Sequence, residues 1–250
     1  MKVMCRVTLM VAAVVLLAIS VPVHASKMDD RIESSAQKSY VFRTYLKNDD
    51  IKIESKDGAV TLTGTVSEES HKSLAKETVA GLPGVKSVDN RLEVKGTPPA
   101  ANSDAWITAK VKTMLLFHRN VSTMTEVNTT GGIVTLQGKA TSQAQKDLTT
   151  EYAKDVEGVK DVRNEMTIAK TSKKAQTVGR EIDDASITAL VKMTLLYHRS
   201  TSALNTSVTT KMGMVTLSGK AKSEAEKDLA AKFANDVYGV KGVKNRMTIE

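Results

Sequence analysis

Gly132-Ile133-Val134-Thr135-Leu136-Gln137-Gly138 is a short strand set between two glycines. Val134 and Leu136 alternate with Thr135 and Gln137, the period-two pattern of a strand with one buried face. The same pattern recurs at Gly58-Ala59-Val60-Thr61-Leu62-Thr63-Gly64 and at Gly213-Met214-Val215-Thr216-Leu217-Ser218-Gly219. The spacing between copies is 74 and then 81 residues, and other landmarks keep it: Gly84-Val85, Gly158-Val159 and Gly239-Val240, followed by Asn90, Asn164 and Asn245. A fixed self-similarity of this kind marks a repeated structural unit.

Working outward from the central strand, each copy reads the same way. Upstream lies a helical stripe at i, i+4, i+8: Ile32, Ala36, Tyr40; Ile107, Val111, Leu115; Ile187, Val191, Leu195. Asp30, Asp104 and Asp184 precede it as N-caps or first-turn acids. A short strand, Ile51 and Ile53 in the first copy, leads into the central one. Downstream, Ser142 with Gln145 and Ser223 with Glu226 spell capping boxes for a second helix. That helix buries Leu148, Tyr152 and Val156, or Leu229, Phe233 and Val237, and a glycine ends it. The last strand runs through Val85, Val88, Leu92; Val159, Val162, Met166; Val240, Val243, Met247.

The order is α-β-β-α-β. The central strand, second helix and last strand form a crossover, so those two strands run parallel, whereas the first two form an antiparallel hairpin. The fold class expected is α+β: three tandem modules at 28–95, 104–169 and 184–250, each a three-stranded mixed sheet with two helices on one face. The linker with Pro98-Pro99 is the stiffer of the two, because consecutive prolines favour an extended chain.

Residues 1–25 read as an export signal, with Lys2 and Arg6, an apolar run from Val7 to Val21, and Val23-His24-Ala25 before a cut after Ala25. The single cysteine, Cys5, leaves with it. A cysteine-free exported chain suits a bacterial periplasm and excludes a disulfide framework.

The helix start Asp104-Ala105-Trp106-Ile107-Thr108-Ala109-Lys110-Val111-Lys112, the Gly-x-Val-x-Leu-x-Gly strand and the Gly-Val-x-x-Val-x-Asn strand resemble BON domains of osmotically inducible periplasmic proteins and envelope lipoproteins. The resemblance covers nearly all of residues 28–250. Its first copy departs from the helix motif, with Arg31 in place of Trp106. The resemblance implies a non-enzymatic periplasmic protein that binds phospholipid surfaces or other envelope components under osmotic or envelope stress. A periplasmic chaperone or scaffold for unfolded or outer-membrane proteins is the rival reading.

No nucleophile motif, P-loop or dinucleotide fingerprint is present, so no catalytic residue, cofactor or metal is expected. His118 and His198 stand at matching places at the end of the first helix, where a cation suits the helix dipole, and Arg43 takes that place in the first copy. Gly81-Leu82-Pro83-Gly84 matches the GxxG loop of RNA-binding KH domains but carries no basic residue. It is read as a helix terminator, with no nucleic acid as partner.

The candidate contact residues lie on a second line of the first helix, about 100° from the core stripe. In the second copy this line is Trp106, Lys110, Thr113 and Phe117, and in the third it is Ser186, Leu190, Met193 and Tyr197. An extra apolar stripe serves a membrane or partner, or packs against a neighbouring module. Trp and Tyr beside Lys suit headgroup depth at a bilayer. Charge points the same way: residues 27–96 and 97–169 are each net zero, whereas 185–250 hold 10 basic and 5 acidic groups. Lys241, Lys244 and Arg246 are therefore expected to face an anionic phospholipid or membrane surface, with envelope proteins as further partners.

Overall fold

The computed structural model describes residues 23–121, 124–169, 181–201 and 206–250. Most of the expected export segment and of the second linker lies outside the described residues. Helix α1 (Val23–Lys38) contains the expected cut after Ala25.

Module one continues with α2 (Tyr40–Thr44), β1 (Asp50–Lys56), β2 (Ala59–Val66), α3 (Glu69–Ala80) and β3 (Ser87–Val94). Module two is α4 (Asp104–Phe117), β4 (Glu126–Thr130), β5 (Ile133–Gln137), β6 (Lys139–Ala140), α5 (Gln143–Lys154), β7 (Asp161–Asn164) and β8 (Thr167–Ile168). Module three is α6 (Asp184–Tyr197), β9 (Thr206–Lys211), β10 (Met214–Ala221), α7 (Glu224–Asn235), β11 (Gly242–Asn245) and β12 (Thr248–Ile249). In each module the central strand pairs antiparallel with the strand before it and parallel with the one after the second helix. The fold is α+β, with small mixed sheets packed on helices, and among the described residues no strand crosses from one module's sheet to another's.

The alternation predicted for the central strand is what buries it: Val60, Leu62, Val134, Leu136, Val215 and Leu217 all face the helices. Gly64 does not end its strand, as the Gly-bounded pattern suggested, but lies inside β2. There φ is +115°, and a Cβ would sit 2.0 Å from the Asp50 carbonyl oxygen, so only glycine fits. The repeated asparagines tie sheet to helix. Asn90, Asn164 and Asn245 each donate from Nδ2 to the carbonyl of Lys72, Lys146 or Lys227 in the second helix.

Two local expectations change. The first helix of module one breaks at Ser39, whose buried hydroxyl donates to the Ala36 carbonyl and accepts from the Phe42 amide. Val41 rather than Tyr40 then carries the buried stripe. Of the two roles offered for Asp104 and Asp184, the structure shows the first-turn acid, and the N-caps are Ser103 and Asp183, one residue ahead.

Helix α6 is the hub of the molecule. Eleven of its 14 residues are buried, the signature of a helix covered on all sides. Its own sheet takes one face, α3 of module one a second and α4 of module two a third. Gly81, the residue of the KH-like tetrapeptide, is where α3 ends against α6: a Cβ there would lie 3.3 Å from both Cα and Cβ of Ala185. Modules two and three have Asp155 and Asp236 at that place and use them differently.

Candidate functional site

The acid at the start of the first helix fixes the hairpin tip. Asp104 accepts from the Gly131 and Gly132 amides, and Asp184 from the Met212 and Gly213 amides. In module one this role belongs to Asp29, not Asp30: it accepts from the Ser55 hydroxyl and from the Asp57 and Gly58 amides. The Ser55 hydroxyl and then the Gly58 amide hold Asp29 below the ordinary value, and the Gly131 and Gly132 amides do the same for Asp104. A carboxylate that accepts several donors is stabilised in its charged form.

The second line of the first helices does not reach solvent as an apolar stripe. Phe117, Leu190, Met193 and Tyr197 are buried, and only Trp106 and Lys110 remain partly open. Phe117 meets Tyr45 of module one edge-on at 5.5 Å, and Tyr45 meets Tyr40 at 6.0 Å. Leu190 and Met193 lie on the hub helix. Lys110 Nζ stands 3.8 Å above the Trp106 ring, 5.7 Å from the Tyr197 ring, and donates to Glu157 at 3.2 Å. The line therefore belongs to packing between modules, because α4 and α6 cross along it. Of the two partners left open by the sequence, the neighbouring module is the one in contact.

The basic residues do stand open, on the outer face of the third sheet. Strands β9, β10, β11 and β12 read TSVTTK, MVTLSGKA, GVKN and TI, with no Asp or Glu. Lys211, Lys220, Lys244 and Arg246 are exposed there. Lys244 pairs across from Thr216, and Lys211 across from Met214. Lys241 lies at the rim, its side chain laid over Gly213. Met212, 72% exposed, and Met214 add apolar surface beside the cations. The strands of module one, in contrast, carry Asp50, Glu54, Asp89 and Glu93 among Lys52, Lys56 and Arg91. Sequence reasoning counted Lys220 among the basic residues of the third module but missed Lys211, and placed neither on this face. Their place on the outward register was the signal that could have found them.

The histidines stand at the helix ends as expected, as the C-caps of α4 and α6, but not at the surface. His118 and His198 are both fully buried. Their Nε2 atoms face each other at 3.2 Å between modules two and three. His118 lies over Tyr152, with centroids 4.1 Å apart, and His198 stacks on Phe233 at 3.7 Å. The contact is reciprocal. The Arg119 amide donates to the Asp236 carbonyl and the Arg199 amide to the Asp155 carbonyl. His118 pairs with Val237 and His198 with Val156 as single bridges. Burial first, and the facing His198 second, push His118 down to about 3.

Among the described residues no group of three or more His, Cys, Asp and Glu side chains is placed to hold a metal ion, and no helix is long and apolar enough to cross a membrane.

A family profile for the BON domain matches this chain three times, at residues 28–96, 103–170 and 183–250. The osmotically-inducible protein Y of Escherichia coli strain K12 is 34% identical over 196 residues, 78% of this chain and 95% of that protein. A 21 kDa hemolysin of Actinobacillus pleuropneumoniae is 35% identical over 115 residues, 45% of this chain and 59% of that protein. Among solved structures, CdsD, a structural protein of the type III secretion system of Chlamydia trachomatis, aligns at 17% identity. It covers 90% of this chain and 92% of that one, with a TM-score of 0.24, too low to carry an argument.

Proposed function

The chain belongs to the BON domain family, and on that premise we propose that it is a non-enzymatic periplasmic protein that binds anionic phospholipid surfaces through the outer face of its third sheet. The observation that carries this reading is the cationic face itself: Lys211, Lys220 and Lys244 on strands without a carboxylate, with Arg246 exposed just after β11. Each basic residue near an anionic leaflet contributes about 1 kcal/mol, so four give a useful but reversible attachment. Met212 and Met214, exposed beside them, supply the apolar surface that would enter the headgroup layer. The charge and apolar pattern of residues 1–25 supports export, and the likeness to an osmotically inducible protein supports a role in osmotic or envelope stress.

Flotation with vesicles tests the proposal. Binding is expected to vesicles containing phosphatidylglycerol and not to phosphatidylcholine alone, and to weaken with salt as exposed charges are screened. Lys244→Glu with Arg246→Glu is expected to remove it, while Trp106→Ala changes it little. Equal binding to both vesicles, or full binding by the double variant, overturns the reading.

A second reading, a chaperone for unfolded or outer-membrane proteins, draws on Met212 and Met214, since exposed methionines adapt to varied apolar partners. Suppression of client aggregation by a chain that ignores anionic vesicles would favour it.

A further inference from the structure

The interface between modules two and three closes on two facing imidazoles, and their proton positions are constrained by what surrounds them. His198 Nδ1 lies 2.8 Å from Asp155 Oδ2, and that carboxylate also accepts from the Ser200 hydroxyl and stands 3.7 Å from Arg199 Nε. With its Nδ1 proton given to Asp155, a neutral His198 turns a bare Nε2 toward His118. His118 then supplies the proton between them, and its own Nδ1 is left buried without a partner.

Among the described residues no carboxylate accepts from His118 itself. From α5, His118 is faced by Tyr152, and Asp155 is committed to His198. From α7 come the neutral Phe233 ring and Asp236, which is engaged by the Tyr152 hydroxyl and the Asn120 amide. From the end of α4, Arg119 directs its guanidinium to the Val240 and Asn235 carbonyls. From the end of α6 come His198 itself and Arg199. One proton added to the facing pair leaves His118 either charged or in the tautomer with a buried, unpaired Nδ1–H. A second sets two N–H groups, each on a cation, face to face at 3.2 Å. That arrangement cannot stay closed.

We propose that His118 and His198 form an acid-released clasp, which holds modules two and three together near neutral pH and lets them part when the facing pair is protonated. The reading is independent of lipid binding. Parting uncovers the reciprocal backbone bonds and the rings of Tyr152 and Phe233, surface that the closed molecule hides. The sign follows from linkage. A base held neutral in the closed state takes up a proton when released, so the closed state is fully favoured above the ordinary value of 6.5 and loses ground as pH falls toward 3.

The test is amide hydrogen exchange on the full chain, expressed as protection factors between pH 8 and 3.5, with NMR of the imidazole rings. Protection of the Arg119 and Arg199 amides is expected to fall at least tenfold between pH 6.5 and 4, while Thr61 and Leu62 in the sheet of module one keep theirs. The His118 ring is expected to titrate together with that loss. In His118→Gln, and in His118→Phe, which keeps a ring over Tyr152, the midpoint is expected to move down by at least one pH unit. Far-UV circular dichroism reports whether each variant is folded, and the wild-type comparison decides even if neither is. Simultaneous loss of protection in module one, unchanged protection at pH 4, or identical midpoints in wild type and folded variants each overturns the clasp.

Discussion

A single carboxylate at the head of each first helix does more than cap it. Asp104 reaches the two glycine amides at the tip of the β4–β5 hairpin and so sets the distance between helix and sheet. Its carboxyl is held below the ordinary value of 3.8 by those amides, so the tether is complete above that value and is lost as pH falls through the lower folded value. Asp104→Asn is therefore expected to lower the melting temperature at pH 7, with the gap to wild type closing below pH 3.8. A gap that stays constant down to pH 2 would show that charge is not what matters. At Gly64 the constraint is steric instead. Gly64→Ala places a methyl 2.0 Å from the Asp50 carbonyl oxygen at φ +115°, and chemical denaturation is expected to show a loss of about 2–4 kcal/mol.

At the scale of the element, the helices explain which parts of the molecule the sequence displayed. The i, i+4, i+8 stripe and the alternating strands were legible because each is fixed by its own module's core, within about 70 residues. The second line of α4 and α6 was legible as apolar but not as to its partner, because periodicity records that a face is covered and not by what. His118 was misread for the same reason. A helix end viewed alone favours a cation, whereas here the end of α4 is roofed by α5 and α7, and burial keeps His118 neutral. The covered line makes a prediction opposite to the one an exposed stripe would give. Phe117 is 1% exposed, and Phe117→Ala is expected to cost about 3–5 kcal/mol in urea unfolding. Trp106 is half-buried, and Trp106→Ala is expected to cost about 1–2 kcal/mol, in proportion to the smaller area removed from water. Unchanged stability in Phe117→Ala would return the line to the surface.

At the scale of the whole molecule, three copies of one unit have become one body by diverging at matched positions. The place after the second helix holds Gly81 in module one, so that α3 can close on Ala185, and Asp155 and Asp236 in the other two, where they bond to residues at or just past the end of the opposite module's first helix. The place at the end of the first helix holds Arg43, His118 and His198. Lys192 of the hub donates to Glu77 of α3 at 2.7 Å, which pins module one in the same way. A hub helix with 11 of 14 residues buried cannot satisfy that burial inside a module of its own. The three modules are therefore expected to unfold together, in one denaturant transition whose slope matches the surface of the full chain. Residues 184–250 alone are expected to self-associate, because Leu190 and Met193 would then face water. Analytical ultracentrifugation of that fragment, beside urea unfolding of the whole, checks both statements. Three separable transitions and a monomeric fragment would mean that the packing around α6 adds little to folding, and that the repeats behave as beads on a string.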